Sequence, residues 1–533
     1  MESEPNSLEA RLESDGLGGA RAATGDEAIE AAVVTAAEGS SGRRSHDVLH
    51  RNVSALMGGQ VVTWAMTLIW TLVVPRVLGP SSMGLVVSAI SISGVLAIVL
   101  GLGTRNYLVR EIVVNESAGP KLVGTAILMR MAMVPVIAVA TVVFARLAGD
   151  STEASVVLYL ASAMTVLTLL AEPMQAALQA HEQMQYLAYA NIINKTAQSL
   201  VGVALVLVGL RAIGVIADMA AAAAVVVLLT YAWLRPTVEI DWRIDKDVWK
   251  SVFRGSMTYW AAGMFAMFYL WVDTILLSLL TTPKEVGWYG VTTNLFQTAL
   301  FAAVLVSTAW LPRLVDSFKD GHEALVAAAQ TPIRIVVTVS VPLAGLMVIF
   351  APWVTRGLYG RAYDPAAVVM MILAACLPWM YMNITLYSIF VAMKRAQTWT
   401  YVMIGAAIFN PVLNFALIPL TQHQFHNGAI GAASSLVITE MVMTIAVVST
   451  MRMGMIGLEI RQRALRLVIA SGLAVAATFL TGGLPTPAPP LIGVAVMTLL
   501  GIRLRVLTAE EVEFAKGYAR RGLRRLPIVD RWV

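Results

Sequence analysis

The sequence predicts an all-α polytopic membrane protein of about fourteen transmembrane helices, in two six-helix lobes related by a parallel repeat, with two further helices behind them. Three observations predict it. Of 533 residues, 58% are hydrophobic and 13% charged, against roughly 45–50% and 25% in soluble domains. A soluble fold must still cover its exterior with polar groups, so this much apolar surface calls for a second solvent. Apolar runs of about 20 residues, the length that crosses ~30 Å of hydrocarbon, recur along the chain. Finally, landmarks in the first half return at a fixed offset in the second.

Residues 1–51 carry ten acids and five arginines, and their one apolar run, Ala31 to Ala37, follows Asp26, Glu27 and Glu30. That is the wrong flank for a secretory signal, so 1–50 reads as a disordered, cytoplasmic tail. The N-lobe, 51–234, holds apolar runs near 54–75, 83–104, 122–147, 154–179, 186–210 and 213–234. A charged linker, 235–252, follows. The C-lobe, 253–452, holds runs near 253–280, 287–311, 326–350, 366–392, 398–420 and 428–451, and the extra pair, within 453–505, lies near 465–482 and 487–502. In the tail 506–533, Thr508 to Glu511 forms a capping box ahead of Lys516, Arg520, Arg521, Arg524 and Arg525. It reads as a cationic amphipathic helix on the anionic inner leaflet or, more specifically, as a docking surface for a cytoplasmic glycosyltransferase.

Placing the N-terminus in the cytoplasm puts 29 of the 38 lysines and arginines in inside segments, six outside and three within spans. By the positive-inside rule both termini are cytoplasmic, and the inner, plasma membrane is the expected location. The repeat has the same polarity: Arg51 and Arg254, Gly84 and Gly287, and Arg110 and Arg313 are each 203 residues apart. Ala212-Ile213-Gly214 returns as Ala429-Ile430-Gly431 at an offset of 217. Six spans bring the chain back to its starting side, so the halves are parallel repeats, with substrate handled at their interface.

The one cysteine, Cys376, excludes an intramolecular disulfide, and His423-x-x-His426 lacks the glutamate of a zinc protease, so no metal is expected. No Walker A, HExxH or nucleophile-elbow pattern occurs, so neither an enzyme nor a cofactor is expected, nor a nucleic-acid partner.

The stretches Arg51-Asn52 to Gly59-Gln60, Pro75-Arg76-Val77-Leu78-Gly79-Pro80 with Met83-Gly84, and Leu108 to Ile112 resemble the opening of polysaccharide-export flippases. These form the lipid-linked oligosaccharide branch of the superfamily that also holds multidrug and toxin extrusion antiporters. Asp273 to Leu277, Glu285 to Gly290, Leu358-Tyr359-Gly360, Asn410 to Asn414, Leu417-Ile418-Pro419 and Gly428 to Ala433 agree, and the resemblance covers about 48–452. It implies two lobes in a V around a central cavity. It also implies alternating access for a polyprenyl-diphosphate-linked oligosaccharide, with membrane lipids, a polysaccharide polymerase and glycosyltransferases as partners. A cation-coupled drug antiporter of the same fold is the alternative, and a non-transporting scaffold a third class. The sequence departs from the pattern in its extra helix pair, its long tails, and Arg105 at the inner mouth of the N-lobe.

Charges at membrane depth are costly, about 2.5–3.5 kcal/mol each on insertion scales, and so mark either function or internal pairing. On the functional reading Arg130 and Lys195 line the cavity and attract an anionic head group, while Asp273 or Glu172 receives a coupling Na+ or H+. On the structural reading they form internal ion pairs, for example Lys195 with Glu172. Glu440 and Asp218 lean to the structural reading, and Arg334 is expected to snorkel. Asn194 with Asn191, Asn410-Pro411 with Asn414, and Pro135, Pro173, Pro342 and Pro378 are points where spans are expected to bend.

Overall fold

A computed structural model describes residues 43–147, 151–451 and 457–504. Residues 1–42 of the acidic tail and the C-terminal capping box lie outside the described residues, whereas 43–50, expected to be disordered, are helical and open the first helix. Every regular element among the described residues is helical. Fourteen α-helices follow in order: α1 (Arg43–Gly101), α2 (Thr104–Val114), α3 (Gly119–Leu147), α4 (Thr152–Ala180), α5 (Met184–Leu207), α6 (Arg211–Leu234), α7 (Lys246–Leu280), α8 (Pro283–Lys319), α9 (His322–Tyr359), α10 (Ala366–Ala392), α11 (Ala396–Phe425), α12 (Gly428–Thr450), α13 (Leu458–Leu480) and α14 (Ala488–Arg503).

Among the described residues, eleven segments are long and apolar enough to cross a membrane. The first, Val62–Ile98, is two spans in one, because Gly79 leaves the helical region at φ 73°, ψ 168° and Pro80 restarts the helix. Two shorter apolar helices, Phe268–Leu280 and Ala488–Arg503, add to these. The chain is thus a multi-pass membrane protein with about the expected number of spans. Two boundaries differ from the sequence expectation. The stretch after the second span folds as the short helix α2 rather than a connector, since Tyr107, Leu108 and Ile112 bury one side of it. The seventh span starts in the charged linker, at Lys246, because Asp245 caps it: its Oδ1 accepts from the amides of Asp247 and Val248 at 3.0 and 3.4 Å. Ser151 and Asn427 start α4 and α12 in the same way.

The chain divides into two compact units, Met1–Gly290 and Val291–Val533. In the first, α4 packs on α6, α5 on α6 and α1 on α5, while α7 runs against α1, α2 and α3. One apolar cluster, with Leu108, Val123, Met129, Leu178 and Leu234, fills the end near α2. A second, with Val74, Val86, Val157, Ile216 and Met219, fills the other end. The linker lies on α3: the Asp241 amide donates to the Pro120 carbonyl at 3.1 Å, and Gly124 lets that backbone approach where a Cβ would collide with the Asp241 carbonyl. In the second unit α9 packs on α10, α10 on α12 and α11 on α12, and α13 lies against α9 and α14. Pairings α3–α4, α5–α6 and α4–α6 of the first repeat thus return as α9–α10, α11–α12 and α10–α12 of the second. Large apolar side chains such as Leu68, Val139, Leu228, Ile408, Val412 and Leu473 point outward, the surface a helix offers to lipid.

Candidate functional site

In the first unit the site is built around a proline. Pro173 has no amide hydrogen and cannot bond the carbonyl four residues earlier, so Leu169 O is left free in the middle of α4. Arg130 of α3 takes it: Nη1 donates to Leu169 O at 2.9 Å. Its Nη2 donates to Gly101 O at 3.1 Å and Thr104 Oγ1 at 2.6 Å, and lies 2.6 Å from Glu172 Oε2. Gly101 ends α1 and Thr104 begins α2, so one guanidinium joins a helix break, the carbonyl freed by a proline and a carboxylate. Arg130 is 2% exposed, whereas the Glu172 side chain keeps 31% of its surface. The pairing of Lys195 with Glu172 suggested by the sequence does not form. Glu172 is taken by Arg130, whose helix α3 packs directly on α4.

The break itself is held from the other side by α7. Gly103 at φ 61° turns the chain, and a Cβ there would sit 2.5 Å from the Trp260 amide nitrogen. Trp260 Nε1 donates to Ile98 O at 3.1 Å, and the Tyr107 and Ser251 hydroxyls lie 2.9 Å apart. Arg105, half-buried just beyond the break, donates to Gln179 Oε1 at 3.3 Å. No carboxylate lies within 4.0 Å of it among the described residues.

Lys195, on α5, is likewise half-buried and has no carboxylate within 4.0 Å among the described residues. Its Nζ reaches only Gln198 Oε1, at 3.5 Å, and Gln198 in turn donates to Asn194 Oδ1 at 3.0 Å. Asp273, on α7, is 4% exposed and accepts from the Tyr289 hydroxyl at 3.3 Å. Asp218 on α6 is equally buried, and only because Gly202 has no side chain can α5 come this close; a Cβ there would lie 3.0 Å from its Oδ2.

The second unit contains its own buried polar layer. Glu440 Oε2 accepts from Asn383 Nδ2 at 2.7 Å, and Thr444 Oγ1 donates to Asn383 Oδ1 at 2.9 Å, tying α10 to α12. Asn410 and Asn414 are fully buried on α11, with Asn414 Nδ2 donating to Asn410 Oδ1 at 2.8 Å. Arg334 approaches Glu459 at 4.0 Å, and Arg463 of α13, 6% exposed, lies 3.7 Å from the same residue. Sequence reasoning missed Asn383, Tyr289 and Arg463 as partners. The free Leu169 carbonyl was legible, since Pro173 alone creates it. No group of three or more His, Cys, Asp or Glu side chains suited to a metal occurs among the described residues.

The family model described as "Polysaccharide biosynthesis protein" matches residues 49–318, which is 270 of the 533. A second, MatE, matches 261–416. No match was found among curated protein sequences. Among solved structures, the chain resembles "Lipid II flippase MurJ, inward closed conformation" at TM-score 0.67 and 14% identity, covering 84% of this chain and 98% of that one. It also resembles an inward-facing multidrug resistance MATE family transporter of the MOP superfamily, at TM-score 0.57 and 15% identity over 76% of this chain and 95% of that one. At such identities the likeness establishes the fold, and the family model establishes the kinship: the chain belongs to the polysaccharide biosynthesis protein family and has the fold of MurJ and the MATE transporters.

Proposed function

We propose that the protein is a flippase that carries a polyprenyl-diphosphate-linked oligosaccharide from the inner to the outer leaflet of the plasma membrane, with both chain termini in the cytoplasm. The observation that carries this reading is the charge balance of the first unit. Arg130 is neutralised by Glu172, whereas Lys195 and Arg105 are half-buried cations that donate to the neutral amides of Gln198 and Gln179. Lys195, kept in a span without an acid, costs insertion energy that a diphosphate would recover, since phosphate oxygens form charge-assisted hydrogen bonds with ammonium and guanidinium groups; Arg105 stands outside the spans, on the short helix α2. The sugar would travel in a polar path while the polyprenyl chain stays in lipid. Membership of a polysaccharide biosynthesis family supports the same substrate class and, as partners, glycosyltransferases and a polymerase that make and consume it. Asp273, buried and hydrogen-bonded to Tyr289, is the residue we assign to Na+ or H+ coupling.

The MatE match over 261–416 favours a second reading, cation-coupled export of small cationic amphiphiles. Reconstituted vesicles separate the two. Proteoliposomes given a fluorescent diphosphate-linked oligosaccharide lipid should move it to the opposite leaflet, and Lys195→Ala should slow this without changing folding. Efflux of a cationic dye with no movement of the lipid would replace the first reading by the second. In cells, a deletion strain should regain surface polysaccharide with the wild-type chain and less of it with Lys195→Ala.

A further inference from the structure

Helix α5 carries two kinds of exposed surface. Lys195 stands at its middle, 11 positions after Met184 and 12 before Leu207, which is roughly 17 Å from either end at the rise of an α-helix. Around it Asn191 is exposed and Asn194 and Gln198 are half-buried, within a helix otherwise apolar enough to span a membrane. At about 100° per residue, these four fall in one sector of about 100° that runs from Lys195 round to Asn194. Four of the five buried residues of α5, Ala188, Ser199, Gly202 and Val206, mark the packed face, which is centred close to Lys195. The exposed Tyr189, Leu200 and Leu207 lie about 120–140° from Lys195 in the opposite sense. Amides and large apolar side chains thus emerge on opposite flanks of the packed face, and the exposed Val201 closes the apolar flank beside Asn194.

Polar side chains in a span commonly bond one helix to another, as Ser199 does by donating to Met66 O of α1. The amide flank does not. Lys195 donates to Gln198 and Gln198 to Asn194, both along α5 itself. Among the described residues none of the four side chains bonds a neighbouring helix. An amide left accessible at this depth is costly against hydrocarbon and is accommodated where it lines a polar space. The Asn194 flank therefore faces such a space, and the Leu200 flank faces lipid. The relay also leaves both protons of Asn194 Nδ2 and two of the three on Lys195 Nζ without a partner among the described residues.

One ammonium flanked by neutral amides suits a ligand whose concentrated negative charge adjoins groups that both donate and accept. A sugar attached to a phosphate has that order: phosphate oxygens match Lys195, and hydroxyls match amides, which likewise do both. A cationic amphiphile offers neither. We infer that Asn191, Asn194 and Gln198 bind hydroxyls of the sugar attached to the diphosphate, while Lys195 holds the diphosphate itself. The inference rests on the flippase reading above and adds to it the residues that tell a glycosylated lipid from a bare one.

Two probes test it on the purified full chain: a short-chain polyprenyl diphosphate carrying a neutral disaccharide, and the same lipid without sugar. The wild-type chain should bind the first more tightly. Asn194→Leu with Gln198→Met, close in size to the originals, should weaken the glycosylated lipid about tenfold, as expected for two neutral hydrogen bonds. The bare lipid should keep its affinity within about twofold, whereas Lys195→Ala should weaken both. Equal loss for the two lipids in a monodisperse double variant, or no loss, overturns the sugar assignment and leaves the flippase reading standing. So does a wild-type chain that binds both lipids alike. A wild-type chain that binds neither overturns the flippase reading and this assignment with it.

A second arm needs no lipid substrate. In the Cys376→Ala chain, Asn191→Cys and Gln198→Cys should react with a membrane-impermeant methanethiosulfonate supplied on both sides of proteoliposomes. Leu200→Cys should react far more slowly. Equal rates would show that the amide flank borders lipid, and would overturn the stripe whatever the binding results.

Discussion

Arg130 and Glu172 lie 2.6 Å apart on two packed helices, and the same guanidinium caps the carbonyl that the neighbouring Pro173 leaves free. The pair is lopsided: the Arg130 side chain is 1% exposed and that of Glu172 31%. Removing the acid strands a buried cation, whereas removing the cation leaves a carboxylate that is only partly buried. Glu172→Leu is therefore expected to cost about 3 kcal/mol, the lower end for breaking a buried pair. Arg130→Met with Glu172→Leu together should cost less than the sum of the single changes. Denaturant midpoints in detergent or bicelles check this; strict additivity would show that the pair is not energetically coupled.

Pro173→Ala restores an amide that can bond Leu169 O within α4, making one Arg130 hydrogen bond redundant. In that background the cost of Arg130→Met should fall by ~1 kcal/mol, the net worth of one hydrogen bond. An unchanged cost would show that the carbonyl contributes nothing to the clamp.

Lys195→Ala should leave thermal stability nearly unchanged while slowing movement of the diphosphate-linked lipid about tenfold, as expected for losing one charge-assisted hydrogen bond of ~1.5 kcal/mol. Lys195→Arg should retain most of the rate. Loss of stability in Lys195→Ala, with transport per folded molecule unaltered, would assign the residue to packing.

In the second unit Asn383→Leu removes a donor to Glu440 and an acceptor from Thr444 at once. The expected cost is about 2 kcal/mol, against ~1 kcal/mol for Thr444→Val, because only the first leaves a buried carboxylate short of a donor. Melting by intrinsic fluorescence gives the ranking, and the reverse order would contradict it.

Two glycines make a paired test of close packing. A Cβ at Gly431 would run into the Leu417 carbonyl and lie 2.7 Å from the Ile418 Cα, while Gly405 has nothing within 4 Å. Gly431→Ala should cost about 2 kcal/mol or more by forcing α11 and α12 apart. Gly405→Ala should be neutral or stabilising by about 0.5–1 kcal/mol. Unfolding midpoints that do not separate the two variants would show that the α11–α12 crossing is looser than described.

Much of the fold was legible because the bilayer imposes a length on every helix; the helix ends at Gly79-Pro80, Asp245 and Asn427, though local, were settled by the structure. The repeat was legible from Gly84 and Gly287. That Pro80 and Pro283 share its register, and that a Cβ on either glycine would collide with the proline carbonyl of the other repeat, was not. Glu440 was visible as a buried acid, while its partner Asn383 is 57 residues away and indistinguishable from any other amide in an apolar span. Arg105 and Lys195 were visible as cations, but only the packed structure shows that their contacts are amides.

The sequence by itself determined the class of protein, the approximate number of spans and the duplication. These follow from hydrophobic length and offset, which are local or periodic properties. Only the tertiary structure decided that Glu172 belongs to Arg130 rather than Lys195, and that two glycines 203 residues apart stand against each other's prolines. Which side chains meet across spans depends on how each helix is rotated and how deeply it sits against its neighbours. That rotation is set by packing summed over the whole bundle, which no single stretch of sequence contains.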